Sequence, residues 1–297
     1  MCIVIAKKFP GVGWIGAKNR DRNYIPLIKI TQSNRRGIQR LYIDDSLSRY
    51  TEGINEFGLC IINAALSVKS DEKELEKSAP TSNKKYQKAG YMSSDGKRIR
   101  TALYEKTPEA AMKYLIDEKL LGSTLIFNKD KCFLLEAGKI IDEETEEPGE
   151  YIYKTEEIKD YVVRTNHGIL IPELGYSSTS LDPEVKKSRA SSERRYKIVE
   201  ERLKKLTDPT KLLEVVSLKK DDDPFMNPIR FGDTTKKAMV TTGQLLLVPH
   251  ERTLHYRPIH SDIDFRYTKL NRPEAKTFFE VISNRKLLGF KEFLKFH

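Results

Sequence analysis

Cysteine is scarce in this chain: Cys2, Cys60 and Cys132 are the only three in 297 residues. An odd, low count excludes a disulfide framework as the source of stability. No Cys-x-x-Cys or His-x3-His pair exists and the five histidines are scattered, so neither a metal site nor a cofactor is expected. Long apolar runs are absent too, which excludes a membrane span of about 20 residues. The opening run Cys2–Ala6 is short and is followed by two lysines, which is the wrong length and the wrong charge order for a secretory leader. These absences lead to the expectation of an intracellular, cytoplasmic protein with no membrane partner. There is no internal repeat, no composition shift that would cut residues 1–297 into two domains, and no RNA-binding, zinc-finger or helix-turn-helix signature.

What is present is enough apolar material for a large core: 38% of residues, with 14 Tyr and 12 Phe. The net charge of +10 comes from lysines and arginines interleaved with acids, as in the stretches KSDEKELEKS and EERLKK. Interleaving of this kind reads as solvated helix faces. The sharper alternative is an acidic partner, either nucleic acid or an anionic substrate. In the second case Lys18, Arg20, Arg22, Arg164, Arg194 and Arg195 should gather at the mouth of one site.

Periodicity divides the chain into strands and helices. Residues 2–7 and 12–18 read as a hairpin about Pro10-Gly11. Strand-like runs follow at 26–31 and 38–44, and two more lie in TEGINEFGLCIINAALSV, so the first 68 residues read as a meander of sequential neighbours. Residues 69–96 carry no period and read as a long loop, a candidate lid. Residues 97–121 turn helical, with a Thr-Pro-Glu start. Residues 122–138 form a hairpin, and 141–150 an acidic loop. YVVRTNHG is a strand ending in polar residues. Helices are predicted from Ser191 and from Asp208, a hairpin over 238–258, and a helix over 274–294. Hairpins and helix pairs without strand–helix alternation point to an α+β fold of antiparallel sheets with helices outside.

Position 2 carries the chemistry. Loss of Met1 would leave Cys2 with a thiol and an α-amine of pKa about 7.7–8.0 on one carbon. Such an amine can take the thiol proton and later return it to a leaving group, so nucleophile and base come in a single residue. A cysteine opening an apolar strand can equally be core. The remaining cysteines, Cys60 and Cys132, sit on apolar runs and are expected to be core.

The stretch MCIVIA…GAKNRDRNY resembles the start of the N-terminal-nucleophile (Ntn) cysteine hydrolases: choloylglycine hydrolases, penicillin V acylases and acyl-coenzyme A:6-aminopenicillanate acyltransferases. It also resembles proteins with an Asn-Arg-Asp-Glu motif after Met-Cys. GINEFGLCIINAAL, GSTLIFNKDKCFLLE, VVRTNHG, SSERRY and TTGQLLLVPHERTLHYRP follow in the order of that family's motifs. The resemblance implies a four-layer αββα sandwich of two antiparallel sheets. It also implies a hydrolase of linear amide C–N bonds working through an acyl-thioester on Cys2. Asp21 matches the family aspartate and would hold the Cys2 amine. Asn63 and Asn166 would serve the oxyanion, and Arg195 matches the arginine of the helix motif. Lys18 falls where bile-salt hydrolases have arginine, with Arg20 as its substitute. His167 and Arg194 are expected to line the substrate pocket.

The partner implied is a small-molecule amide, with an anionic one included; the oligomeric state is left open. Two readings compete with hydrolysis: acyl transfer from the same thioester, and a basic nucleic-acid-binding or non-catalytic protein on the same fold.

Overall fold

The computed structural model describes residues 2–24, 26–35, 37–46, 48–66, 95–141, 148–176, 182–231, 239–259, 264–270 and 281–283. The strands are β1 (Cys2–Phe9), β2 (Gly13–Arg22), β3 (Leu27–Arg35), β4 (Ile38–Asp45), β5 (Thr51–Asn55), β6 (Cys60–Ala64), β7 (Gly122–Phe127), β8 (Cys132–Ile141), β9 (Pro148–Ile158) and β10 (Tyr161–Arg164). After the helices come β11 (Val240–Val248), β12 (Thr253–Pro258), β13 (Asp264–Leu270) and β14 (Val281–Ser283). The helices are α1 (Asp95–Ala102), α2 (Pro108–Asp117), α3 (Pro183–Lys204) and α4 (Leu212–Val216).

The strands form two sheets. One has the order β10-β1-β2-β11-β12-β14 and the other β13-β3-β4-β5-β6-β7-β8-β9. Strand alternation gives each sheet an inner and an outer face. Val4, Ala6 and Trp14 of the first sheet meet Ile43, Ile62 and Phe127 of the second in the inner core. The outer face of the six-stranded sheet, with Ile3, Ile5 and Ala17, is covered by Val199 and Leu203 of α3 and Leu212 and Val216 of α4. The outer face of the eight-stranded sheet, with Tyr42, Ile61 and Ile126, is covered by Ile99 of α1 and Ala111 and Leu115 of α2. The layers are therefore α/β/β/α. Each large apolar side chain buried in them contributes about 1.5–3 kcal/mol. The sheets approach closely at Gly16, where a Cβ would lie 2.3 Å from the Phe127 ring.

Local signals explain the helix starts. Thr107 caps α2 by accepting a hydrogen bond from Ala110 N, with Pro108 at the first helical position. Asp182 does the same for α3 through Glu184 N, so that helix begins at Pro183, eight residues before the predicted Ser191. The helix predicted from Asp208 is a short 3-10 turn, Pro209–Lys211, followed by α4, and it ends at Val216.

Three expectations are corrected. The first 68 residues are not one meander, because the chain leaves the six-stranded sheet after β2 and builds β3–β6 into the other sheet. The two sheets are antiparallel as expected, apart from one added edge strand each: β13 pairs with β3, and β14 with β12, in parallel. Val281–Ser283, predicted as helix, is a strand, where two β-branched residues add to the β12 edge. The rest of 274–294 lies outside the described residues. Finally, Asp95 and Gly96 belong to α1 and not to the predicted loop. A Cβ on Gly96 would lie 1.7 Å from Arg49 O, so glycine lets α1 start against that backbone. Residues 69–94 and 142–147 of the two predicted loops lie outside the described residues. Strand β9 escaped the sequence reading because its Tyr153, Lys154, Thr155, Glu156 and Glu157 are exposed at a sheet edge, leaving little apolar alternation.

Among the described residues no helix is long and apolar enough to cross a membrane.

Candidate active site

The tight turn between β1 and β2 sets the register of the first hairpin. Phe9 pairs with Gly13, so Cys2 pairs with Arg20. Strand alternation then puts Lys18, Arg20 and Arg22 on the inner face together with Cys2, and Asn19 and Asp21 on the outer face. All of these side chains are buried. Three cations therefore stand in a row between the sheets.

The facing sheet supplies two carboxylates. Glu52 of β5 receives the Lys18 ammonium on Oε1, and its Oε2 lies 2.9 Å from Arg20 Nη1. Asp45 of β4 takes Arg22 Nε on Oδ2 at 3.2 Å, and the same oxygen accepts from Tyr24 at 2.6 Å and Ser48 at 2.8 Å. Both carboxylates are fully buried. Burial alone would raise their pKa values, but the neighbouring cations hold both below the ordinary range. Lys18 Nζ also donates to Asn63 O at 2.5 Å.

Cys2 lies at the end of this row. Its Sγ is 3.6 Å from Arg22 Nη1, and that nitrogen also donates to Asp21 O at 2.8 Å. Burial pushes the thiol pKa up, but Lys18, Arg22 and the N-terminal amine outweigh it and hold the group at about 7. The other two thiols are fully buried in the inner core and are pushed upward by burial.

The Cys2 backbone nitrogen has its own partner. It donates to Asn166 Oδ1 at 3.0 Å. Asn166 follows β10 and is held on several sides. Its Nδ2 donates to Ala65 O at 2.7 Å, its N–H to Ser192 Oγ at 2.9 Å, and its Oδ1 also accepts from Arg195 Nη2 at 3.2 Å. The loop that follows folds back through Gly175, whose φ of 76° is a left-handed value, and a Cβ there would lie 2.4 Å from Asn166 O. Glu136 of β8 secures the same loop by accepting from Ile169 N at 2.9 Å and Ile171 N at 2.7 Å.

Behind β2, Asp21 Oδ1 accepts from Thr241 Oγ1 at 2.8 Å, and its Oδ2 lies 3.6 Å from Arg195 Nη1 and 3.9 Å from Arg230 Nη1. Thr241 sits at a β-bulge in β11, where the register against β2 slips by one residue. Arg195 is fully buried in α3. Burial, with Arg230 close by, lowers its pKa to about 9.

The structure thus brings together Cys2, Lys18, Arg20, Asp21, Asn166 and Arg195. It treats three others differently. The Asn63 side chain lies on the outer face of its sheet, where Nδ2 donates to Leu121 O at 3.0 Å and Thr124 Oγ1 at 2.7 Å; only its carbonyl reaches the cation row. His167 is buried against Thr165 and Ser192, with Nδ1 3.1 Å and 2.8 Å from their hydroxyls. Burial lowers its pKa to about 4. Arg194 is half-exposed on the helix surface, 3.3 Å from Asp221. Asp21 meets arginines and a threonine, and the oxygen on the Cys2 nitrogen belongs to Asn166. Sequence reasoning missed Glu52, Asp45 and Arg230. It named Arg22 only as one of the charges.

No known family model and no curated protein matches this sequence. Solved structures similar to it include penicillin V acylase from Agrobacterium tumefaciens, at 10% identity and a TM-score of 0.40, covering 89% of this chain and 87% of that one. Another is the C2A mutant of conjugated bile acid hydrolase from Clostridium perfringens, at 10% identity and a TM-score of 0.45, covering 88% of this chain and 90% of that one.

Proposed function

We propose that this chain hydrolyses linear amide bonds through an acyl-thioester on Cys2, exposed as the first residue by loss of Met1. One observation carries the reading: Cys2 has an acidic thiol on one side and a held backbone nitrogen on the other. With Met1 gone, that nitrogen is an amine resting on Asn166 Oδ1. Asp21 then acts at one remove, by holding Arg195, which holds Asn166.

In the proposed reaction the Cys2 sulfur adds to the amide carbon, and the carbonyl pair moves onto oxygen. Asn166 Nδ2 spends one hydrogen on Ala65 O, which leaves the other for the oxyanion. Collapse breaks the C–N bond, and the leaving nitrogen takes a proton from the α-ammonium. Water then adds to the thioester, its proton passes to the neutral amine, and sulfur departs from the released acid.

The substrate proposed is a small-molecule amide. Among the described residues the inner row holds three cations against two carboxylates, so once acylation removes the charge on the Cys2 sulfur this surplus favours a substrate with a negative group near the reacting bond. Five of the six cations considered for an acidic partner, Lys18, Arg20, Arg22, Arg164 and Arg195, are buried. They present no surface to a phosphate backbone, so the nucleic-acid reading gains nothing from them.

The test is intact-protein mass together with turnover of acyl anilides, anionic and neutral, by wild type and Cys2→Ala. The reading expects a chain without Met1 whose turnover vanishes in the variant. Turnover by a chain that keeps Met1 would overturn it.

A further inference from the structure

We propose that Arg22, clamped by Asp45, keeps Cys2 as a thiolate in the resting protein, so that the first attack needs no base. This rests on the reading of Cys2 as nucleophile, and it assigns a positioning and charge-bearing role to Arg22 and Asp45.

The argument starts from charge. On the inner face Glu52 spends one oxygen on Lys18 and the other on Arg20. Asp45 meets Arg22 through Nε. The remaining end of the guanidinium, Nη1, points at Cys2 Sγ. Among the described residues, three cations and two carboxylates leave one positive charge over, and Cys2 is the ionisable group beside it. A thiolate there completes the row and turns a weak S–H contact into a charge-assisted hydrogen bond from the guanidinium.

Geometry fixes Arg22 in this pose. Asp45 is itself held by Tyr24 and Ser48, the Tyr50 ring lies 5.5 Å from the guanidinium carbon, and Nη1 is tied to Asp21 O. Lys18 and the N-terminal amine favour the thiolate as well, and the remaining charged groups near Cys2 do not reverse the sign. Asp21 lies behind β2 and opposes ionisation, but Arg195 and Arg230 face it there. The buried Tyr256 phenol has its pKa raised by burial and adds no charge. The thiol's value of about 7 agrees with this arrangement.

In the thiolate form, about half of the molecules at pH 7, the Cys2 proton is already in solvent. The attack forms the S–C bond with no proton transfer, and the α-ammonium serves only to protonate the leaving nitrogen.

Alkylation of the folded full-length chain by iodoacetamide, with the modified peptide located by mass, tests the idea without any amide substrate. The Cys2 rate should be half-maximal near pH 7. Arg22→Gln should move that midpoint up by about one to three pH units, the effect of removing an opposite charge within about 4–6 Å. Arg22→Lys should restore most of the change. Asp45→Asn keeps an oxygen that accepts from Arg22 Nε but removes a negative charge, so its midpoint should stay at or below that of wild type. A wild-type midpoint at or above about 8.5, the value of a free thiol, would overturn the proposal. So would an unmoved midpoint in Arg22→Gln, or equal upward movement in Arg22→Gln and Asp45→Asn, which marks general disruption. Absence of amide turnover with the expected alkylation profile would count against the hydrolase reading and leave this proposal standing.

Discussion

Glu52→Gln is the substitution that probes the inner charge row most sharply. It keeps the shape of the side chain and removes the negative charge that Lys18 and Arg20 share. At 2.9 Å, the attraction to Arg20 alone is about 6 kcal/mol at an effective dielectric of about 20. Much of this is offset in the native protein by the cost of desolvating the carboxylate. The variant saves that cost but leaves two cations buried without their partner, and breaking a buried pair from one side typically costs about 3–5 kcal/mol. That is a large share of a normal folding free energy. Urea unfolding at pH 7 should show it as a lower midpoint with an unchanged slope. The pH dependence adds a second check. The Glu52 pKa is lowered by folding, so its contribution is complete above the unfolded value near 4.5 and fades as pH falls through the native one. Wild type and variant should therefore converge in acid. A difference below about 1 kcal/mol at pH 7, or one that persists in acid, would refute a dry, paired Glu52.

Two further outcomes follow from the same geometry. Arg195→Ala should lower turnover by about 100-fold, the cost of a small misplacement of a reacting group, because Asn166 loses a donor on its Oδ1; Arg194→Ala, at the surface, should change turnover little, and steady-state rates of the pair decide it. His167 and His255 are buried with pKa values lowered to about 4, so both states are neutral above pH 6.5 and the unfolded chain alone gains protons below it. Stability should fall between pH 6.5 and 4, by up to about 3 kcal/mol for the more deeply buried His255 and by less for His167, and His255→Gln should flatten the urea midpoint plotted against pH over that window.

The layered fold was readable because hairpins and amphipathic helices leave local marks: alternation in 2–22, the Thr-Pro and Asp-Pro starts, the 122–138 hairpin. Sheet partition was not, because nothing between Arg22 and Leu27 records that the chain changes sheets. The site divides the same way. Cys2 stands out by its position, and Arg22 was within reach of the hairpin register: a turn that pairs Phe9 with Gly13 pairs Cys2 with Arg20. The spacing 18, 20, 22 then puts all three cations on the Cys2 face. Parity also separates Asn63 from Cys60, Ile62 and Ala64, which turn inward. Glu52, Asp45 and Arg230 come from other strands and loops, and only the folded chain brings them in.

The central claim is that the Cys2 sulfur takes an acyl group. A pre-steady-state reaction with an activated ester, p-nitrophenyl acetate, tests it directly, by the size of the nitrophenolate burst and the mass of the N-terminal peptide. The account predicts a burst near one equivalent per chain, an acetyl group on Cys2, and loss of both in Cys2→Ala. A burst that survives in Cys2→Ala, or an acetyl group found only on lysines or on Cys60 and Cys132, would contradict it.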